Sequence, residues 1–493
     1  EIIAGDWSSD VCSSDLFLLK NTVIDEPYEN MPAAEVGLKK GDVILAIGDS
    51  SMVGKDVAYV SNHLRGDAGT TFILTIQRPS VNKKMKFKIT RRSIQLPAVP
   101  YYGVQDGGVG YLNLNSFTTG CAKDVRRAFL DMKKQGMTSL VFDLRNNGGG
   151  SLQEAVNIVN MFVPKGITLV KTVGKMERAN KEYKTTVEPI DTVMPIVVLV
   201  NDETASASEI TSGSLQDLDR AVVLGTRTYG KGLVQVSMDL PYNGNLKLTS
   251  SKYYIPSGRC IQAINYKHAN GGYTEHVPDS LTHVFHTANG REVRDGGGIK
   301  PDVEVRPDSL PNIAFYLASS GRDSTEVMWN WELQYLKKHP TIGPAKTFVI
   351  SDADFEDFKQ AVLKSGFKYD RESKKYLENL VKLAKFEGYY DDAKGEFDAL
   401  EKKLNHNLAK DLDYNKQTLK KVLTSDLVSA YYYQKGSLEN SLQFDKQWKK
   451  AVEILKNPAE YKKLLQPVVG QPLVKLEPAS NVAVDKKQKS KAK

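Results

Sequence analysis

Three short stretches of this chain are apolar almost without interruption: Leu140–Leu144, Pro195–Val200 and Ala221–Gly225. A strand with one face in water alternates apolar and polar residues, whereas a strand that is apolar throughout has to be covered on both faces. Segments of helical length and spacing lie between and around these runs. Ala122–Gln135 places Val125, Phe129 and Met132 on one face, and Gln153–Phe162 and Ser206–Leu218 read as two further helices. Val109–Asn115 reads as another strand. Strands separated by helices predict a layered α/β core.

The chain has 493 residues, too many for one hydrophobic core, so several domains are expected. Upstream of the core, Thr22–Glu26 alternates, Met31–Leu38 reads as a short helix, and Gly41–Gly48 as a strand launched from a turn. Lys55–Leu64 reads as a helix, and Thr71–Gln77 and Met85–Thr90 as a strand pair. The run Pro32–Met52, PAAEVGLKKGDVILAIGDSSM, resembles a PDZ domain where such domains place a helix and a Gly-Asp-led strand. The resemblance implies peptide capture as an added strand, with a glycine-rich loop holding the peptide's terminal carboxylate. That loop is expected just before Thr22, where no such sequence stands. Downstream, residues 355–465 are rich in Lys, Glu, Leu, Ala and Tyr at helical spacing with no sustained heptad, which predicts a bundle of four or more helices.

Three segments carry chemistry. The first, Asn201–Glu209, follows a buried strand and opens a helix, where free backbone N–H groups favour an anion. Its hydroxyls Ser206, Ser208 and Thr204 are candidate nucleophiles, and any of them could equally be a helix cap. The second is the turn Tyr229–Gly232 with Lys231 between two glycines and Gln235 four residues on. A lysine acts as a base only when burial lowers its pKa, and an amide side chain can orient the amine. The third, Asp143–Ser151, puts three glycines at the end of a buried strand, a backbone nest able to aim N–H groups at an oxyanion. Gly225–Gly232 also matches GxxxxGK, but it has Gly232 where a nucleotide site needs Ser or Thr, and a strand-like Leu233-Val-Gln-Val-Ser follows. Nucleotide binding is therefore not expected.

The conjunction of DLRNNGGG, TASASEI and TYGKGLVQ behind a PDZ-like domain resembles the carboxyl-terminal processing (tail-specific) serine peptidases over about residues 17–305. Tyr253–Arg259 and Gly298–Val303 look like landmarks of the same family. The resemblance implies Ser206 as nucleophile, Lys231 as general base, Gln235 as its orienting partner, and an oxyanion hole from Gly149 or Gly150 together with Ala207. The sequence departs from the family pattern at Thr204, where a first serine is common. No cofactor or metal is implied. The partners implied are proteins or peptides with accessible C-termini, and the location implied is the bacterial periplasm or cell envelope, with membrane association through a signal or lipid anchor upstream of this chain. Residues past 306 resemble the extra C-terminal segment of longer members.

The expected architecture is thus a multidomain α+β protein: a PDZ-like domain (17–93), a layered α/β peptidase core (94–305), a helical domain (306–466), and a linker and tail (467–493). Two rival readings are a PDZ scaffold without catalysis and a crotonase-like acyl-CoA enzyme, the latter having no use for Lys231 or a PDZ module. Residues 1–16 have no strand or helix periodicity and resemble a translated sequencing-adapter scar. They are set aside with Cys12, and the true start is expected upstream. The net charge of +8 owes much to five lysines in the last eight residues, read as a solvated tail, and no nucleic-acid-binding signature accompanies it. Cys121 and Cys260 show neither metal spacing nor a disulfide framework; inert thiols are expected, and a bridge between the two is the alternative. The histidines form no metal motif.

Overall fold

The computed structural model describes residues 14–18, 21–94, 96–242, 244–265, 273–274, 279–319, 325–404 and 407–467. The N-terminal residues 1–13 with Cys12, and the lysine-rich tail, lie outside the described residues. The chain divides into two compact units: one runs to Leu96 and includes Asp308–Phe444, and the other comprises Pro97–Pro307 and the residues from Asp445 onward.

In the first unit, β1 (Ser14–Leu18), β2 (Thr22–Pro27), β3 (Val43–Ile47), β4 (Ser50–Ser51), β5 (Thr71–Arg78) and β6 (Lys83–Thr90) form one sheet. Its order is β1-β2-β3-β5-β6, with β4 on β3. Helices α1 (Pro32–Glu35) and α2 (Val57–Leu64) complete it, α2 being capped by Asp56, which accepts from Tyr59 N at 2.7 Å. The sheet is built from the segments expected of a PDZ domain, with one correction. Ser14–Leu16, set aside on sequence, belong to β1, which pairs antiparallel with β2, and Leu16 packs against the core of Ile24, Ile44 and Leu74. Part of the stretch expected to hold the carboxylate loop, residues 19–20, lies outside the described residues.

The second unit carries the layered core. Strands β7 (Tyr102–Gln105), β8 (Val109–Asn113), β9 (Ser139–Asp143), β12 (Ile196–Val200) and β13 (Val222–Gly225) share a sheet with a short terminal strand, Val303–Glu304. Strands β8, β9, β12 and β13 are parallel neighbours. Helices α3 (Cys121–Lys134), α4 (Leu152–Val159) and α5 (Ala207–Asp217) are the crossovers. A second sheet contains β10 (Thr168–Gly174), β11 (Lys181–Lys184), β14 (Leu233–Leu240) and β15 (Gly244–Tyr254) in the order β11-β10-β15-β14.

Alternate residues of the parallel strands face opposite ways. Leu140, Phe142, Ile196, Val198 and Val223 join the core that includes Phe129 of α3 and Val156 of α4. The other set, Val141, Val197, Leu199, Val222 and Leu224, is also fully buried. Its cover comes from far along the sequence.

The helical region contains α6 (Asn312–Ala318), α7 (Val327–Lys338), α8 (Asp352–Ser365), α9 (Glu372–Glu387), α10 (Lys394–Leu404), α11 (Leu408–Tyr414) and α12 (Lys416–Ser441), all in the first unit. Trp331, Phe355, Phe358, Leu419 and Leu423 form its core. Lys40 joins it to the PDZ sheet: its amine lies 2.9 Å from Asp25 and 3.4 Å from Glu332, whose carboxyl burial pushes up to about 8. The last two helices, α13 (Lys446–Lys456) and α14 (Pro458–Leu464), belong to the second unit. Helix α13 packs on β9, β12 and β13. Trp448 meets the Tyr111 ring edge-on at 5.5 Å, and the Tyr461 hydroxyl of α14 accepts from Ile196 N at 3.0 Å and donates to Ile196 O at 3.1 Å. These helices supply the second cover that apolar-throughout strands require.

Candidate active site

Strand β12 ends at Val200, and the chain then makes a tight elbow into α5. Thr204 Oγ1 donates to Leu144 O at 2.9 Å, and Ala205 N donates to Asn147 O at 3.0 Å. Held at both sides, Ser206 takes φ 57°, ψ −115°, a conformation that costs a non-glycine residue about 1–3 kcal/mol. The three candidate hydroxyls now separate. Thr204 and Ser208 are fully buried and spend their hydroxyls inside the fold, Ser208 Oγ on Asn147 O at 2.8 Å. Ser206 alone is partly exposed, at the N-cap of α5, where it shares a capping box with Glu209.

The glycine loop after β9 lies directly against this elbow. Asn147 Nδ2 donates to Leu114 O at 2.7 Å, and Gly149 N donates to Asn147 Oδ1 at 2.9 Å. Gly149 has φ +100°, and a Cβ there would sit 2.7 Å from Ala205 O, 2.8 Å from Ser206 Cβ and 2.9 Å from Ala207 N. Only glycine combines that backbone with so close an approach. Of the expected oxyanion amides, Gly149 N–H is thus spent within its loop, whereas the N–H groups of Gly150 and Ala207 find no acceptor among the described residues.

The lysine turn is tied to the same elbow by one buried carboxylate. Glu209 Oε2 accepts from Ser206 N at 2.8 Å and from Lys231 N at 2.8 Å; Oε1 accepts from Gly230 N at 2.7 Å and from the Thr228 hydroxyl at 2.5 Å. Tyr229 N donates to Thr204 O at 3.0 Å. The buried Tyr253 hydroxyl donates to Lys231 O at 2.5 Å and lies 3.4 Å from Ser206 O. Ser206 and Lys231 are therefore neighbours through their backbones, although 25 residues separate them in sequence (231 − 206).

The Lys231 side chain is half-buried and has no hydrogen-bond or ion-pair partner among the described residues. Burial, followed by the positive charge of Lys247, lowers its pKa; the Glu209 carboxylate opposes them. Burial pushes the Glu209 carboxyl up against four hydrogen bonds that each pull it down. Gln235 stands apart: it is exposed on β14, beside a bulge between Val234 and Gln235, and its side chain makes no hydrogen bond to Lys231. Glu209 and Tyr253 are the residues that sequence reasoning missed. Ser206-Ala-Ser-Glu209 has the spacing of a capping box, a signal that was there to be read, whereas nothing local marks the reach of Tyr253.

The fully buried Arg259 holds the far end of α5, donating to Gln216 Oε1 and Asp217 Oδ1 at 2.8 Å each. Cys121 and Cys260 are both free, so they form no bridge; burial, with the Glu154 carboxylate beside it, pushes the Cys121 thiol up to about 12. No cluster of three or more His, Cys, Asp or Glu suited to a metal occurs among the described residues.

Comparison with known proteins gives these geometries a frame. Residues 108–268 match the model of peptidase family S41, residues 23–78 that of a PDZ domain, and residues 316–455 that described as "Probable PDZ-protease, C-terminal helical domain". The chain belongs to peptidase family S41. Among its S41 relatives, the carboxy-terminal-processing protease of Bartonella bacilliformis is 38% identical over 242 residues, covering 48% of this chain and 55% of that protein. A "Probable CtpA-like serine protease" of Staphylococcus aureus is 31% identical over 366 residues, covering 73% of this chain and 61% of that protein. The chain thus spans about half to three-fifths of the length of the curated relatives it matches. A solved structure, the photosystem II D1 C-terminal processing protease, matches at 26% identity and a TM-score of 0.34, over 62% of this chain and 75% of that one. The S41 match includes both Ser206 and Lys231, and the helical-domain match ends inside α13.

Proposed function

We propose that the chain is a serine endopeptidase working through a Ser206–Lys231 dyad on proteins recognised by their C-terminal tails. The observation that carries this reading is the Lys231 amine, half-buried and in no ion pair among the described residues, on a backbone tied to the strained Ser206 through one oxygen of Glu209. Neutral Lys231 takes the proton of Ser206 Oγ as that oxygen attacks a peptide carbonyl. The oxyanion is received by Ala207 N–H and a loop amide; with Gly149 N–H already donated to Asn147, that amide is Gly150's. Lys231 passes its proton to the leaving amine. It then takes one from water, whose oxygen cleaves the acyl-enzyme, and returns it to Ser206. Gln235 is assigned the orienting role from its spacing and from likeness to the family. Recognition of C-terminal tails through the PDZ domain, export to the periplasm and lipid anchoring rest on likeness to the family. Among the described residues no helix is long and apolar enough to cross a membrane.

A fluorophosphonate probe should label Ser206, the label should disappear in Lys231→Ala, and the wild type should cleave casein. A wild type that neither takes the probe nor cleaves casein would leave the scaffold reading in its place. Thioester turnover without casein cleavage would favour acyl-CoA chemistry.

A further inference from the structure

Arg145 sits at the start of the glycine loop, and its guanidinium is shared between that loop and a helix 300 residues downstream. Its Nη2 lies 2.5 Å from Asp143 Oδ2 and 2.7 Å from Asp445 Oδ2, and its Nη1 donates to Gln447 Oε1 at 2.8 Å across a separation of 302 residues. Nε donates to Asp143 Oδ1 at 2.9 Å, and Asp143 also accepts from the Tyr111 hydroxyl at 2.7 Å. The α13 side of this clamp is fixed in turn. Asp445 caps α13 by accepting from Gln447 N at 2.8 Å and Trp448 N at 3.0 Å, and Gln447 Nε2 donates to Val305 O at 2.6 Å.

We infer that Asp445 and Gln447 are positioning residues for the oxyanion loop, acting through Arg145. The inference rests on the peptidase reading above. Two residues beyond Arg145, Asn147 carries the loop's contacts to the nucleophile elbow: its carbonyl takes Ala205 N and Ser208 Oγ, and its side chain takes Gly149 N. Arg145 fixes one side of Asn147 and the elbow fixes the other, so the loop has little freedom to drift from Ser206. An oxyanion site depends on donors held in place before the charge develops. The S41 match ends at residue 268, so part of what sets its active-site geometry lies outside it, in the first turn of α13.

Asp445→Asn tests this with little disturbance, because Asn is as good a helix cap and similar in size. Casein hydrolysis is measured per active site, with sites counted by the fluorophosphonate probe. Asp445→Asn should lower kcat about tenfold with KM within about twofold, because the donors serve the transition state more than the bound substrate. Arg145→Lys, which keeps the charge but loses the planar fork that reaches Asp143, Asp445 and Gln447 together, should do the same, and Asp445→Glu should recover part of the rate. Wild-type kcat per labelled site in Asp445→Asn and Arg145→Lys would overturn the inference, as would a loss confined to the number of labelled sites. Should Asp445→Asn fail to fold, Arg145→Lys decides. Wild-type protein that cleaves no casein would remove the peptidase reading itself, and this inference with it.

Discussion

Glu209→Gln tests the central joint of the site. The carboxylate receives four buried donors, two on each oxygen: Gly230 N and the Thr228 hydroxyl on Oε1, Ser206 N and Lys231 N on Oε2. An amide offers one oxygen and one NH2. With the NH2 toward Thr228 the hydroxyl can turn and accept from it, and Gly230 N–H is left facing a donor. Leaving a buried donor unsatisfied costs about 1–3 kcal/mol. For a unit of this size that is a fall of roughly 2–12 °C in Tm, at about 2–4 °C per kcal/mol. The same substitution alters the titration of the base. The negative charge of Glu209 holds the Lys231 pKa up against burial and Lys247, so a neutral Gln lets it fall further. With Lys231 as the proposed base, activity needs the neutral amine and is lost as pH falls through that pKa, so the acid limb of kcat/KM should move to lower pH. Thermal melts followed by tryptophan fluorescence give the first quantity, and peptide hydrolysis across pH gives the second. A Tm within about 2 °C of wild type together with an unmoved acid limb would refute the bridging role.

Two further outcomes follow from the elbow. Gly149→Ala should cost at least about 1–3 kcal/mol, since its φ is left-handed and the new Cβ would meet Ala205 O, Ser206 Cβ and Ala207 N, none of which can yield; kcat should fall about a hundredfold in peptide hydrolysis. Ser208→Ala loses one buried hydrogen bond, about 1 kcal/mol in a denaturant melt, and should still take the acylating probe; a label mapped by mass spectrometry to Ser208 in the wild type would contradict the assignment.

Much of the core was legible because its constraints are local. Strands buried on both faces are apolar at every position, and Ser206, Lys231 and the glycine loop lie in short segments whose composition is unusual for ordinary turns. What escaped depends on distance. The pattern of α13 announces an apolar face but not that it lands on β9 and β12, because periodicity fixes which side of a helix is buried and never against what. Glu209 was visible as a cap residue, yet its second oxygen-sharing partner, the turn at Lys231, is brought to it only by the parallel strands β12 and β13. Ser14–Leu16 looked structureless since three residues hold no period; pairing with Thr22–Pro27 makes them a strand. Gln235, chosen by its four-residue offset and by likeness to the family, lies on an exposed ribbon where a bulge breaks the simple register.

The late position of α13 and α14 sets an order in time. A chain made from its N-terminus completes β9, β12, β13 and the Ser206 elbow well before Lys446 is added. At about 5–20 residues per second, the stretch from Val305 to Asp445 takes on the order of ten seconds to synthesise. Throughout that interval Val141, Val197, Leu199, Val222 and Leu224 lack their cover, and Arg145 lacks Asp445. The Gly148–Gly150 loop thus gains its tie to α13, through Arg145 and Asp445, only when the chain is nearly complete. The same arrangement makes any product that stops short of α13 an open sheet, prone to aggregate, rather than a smaller working enzyme.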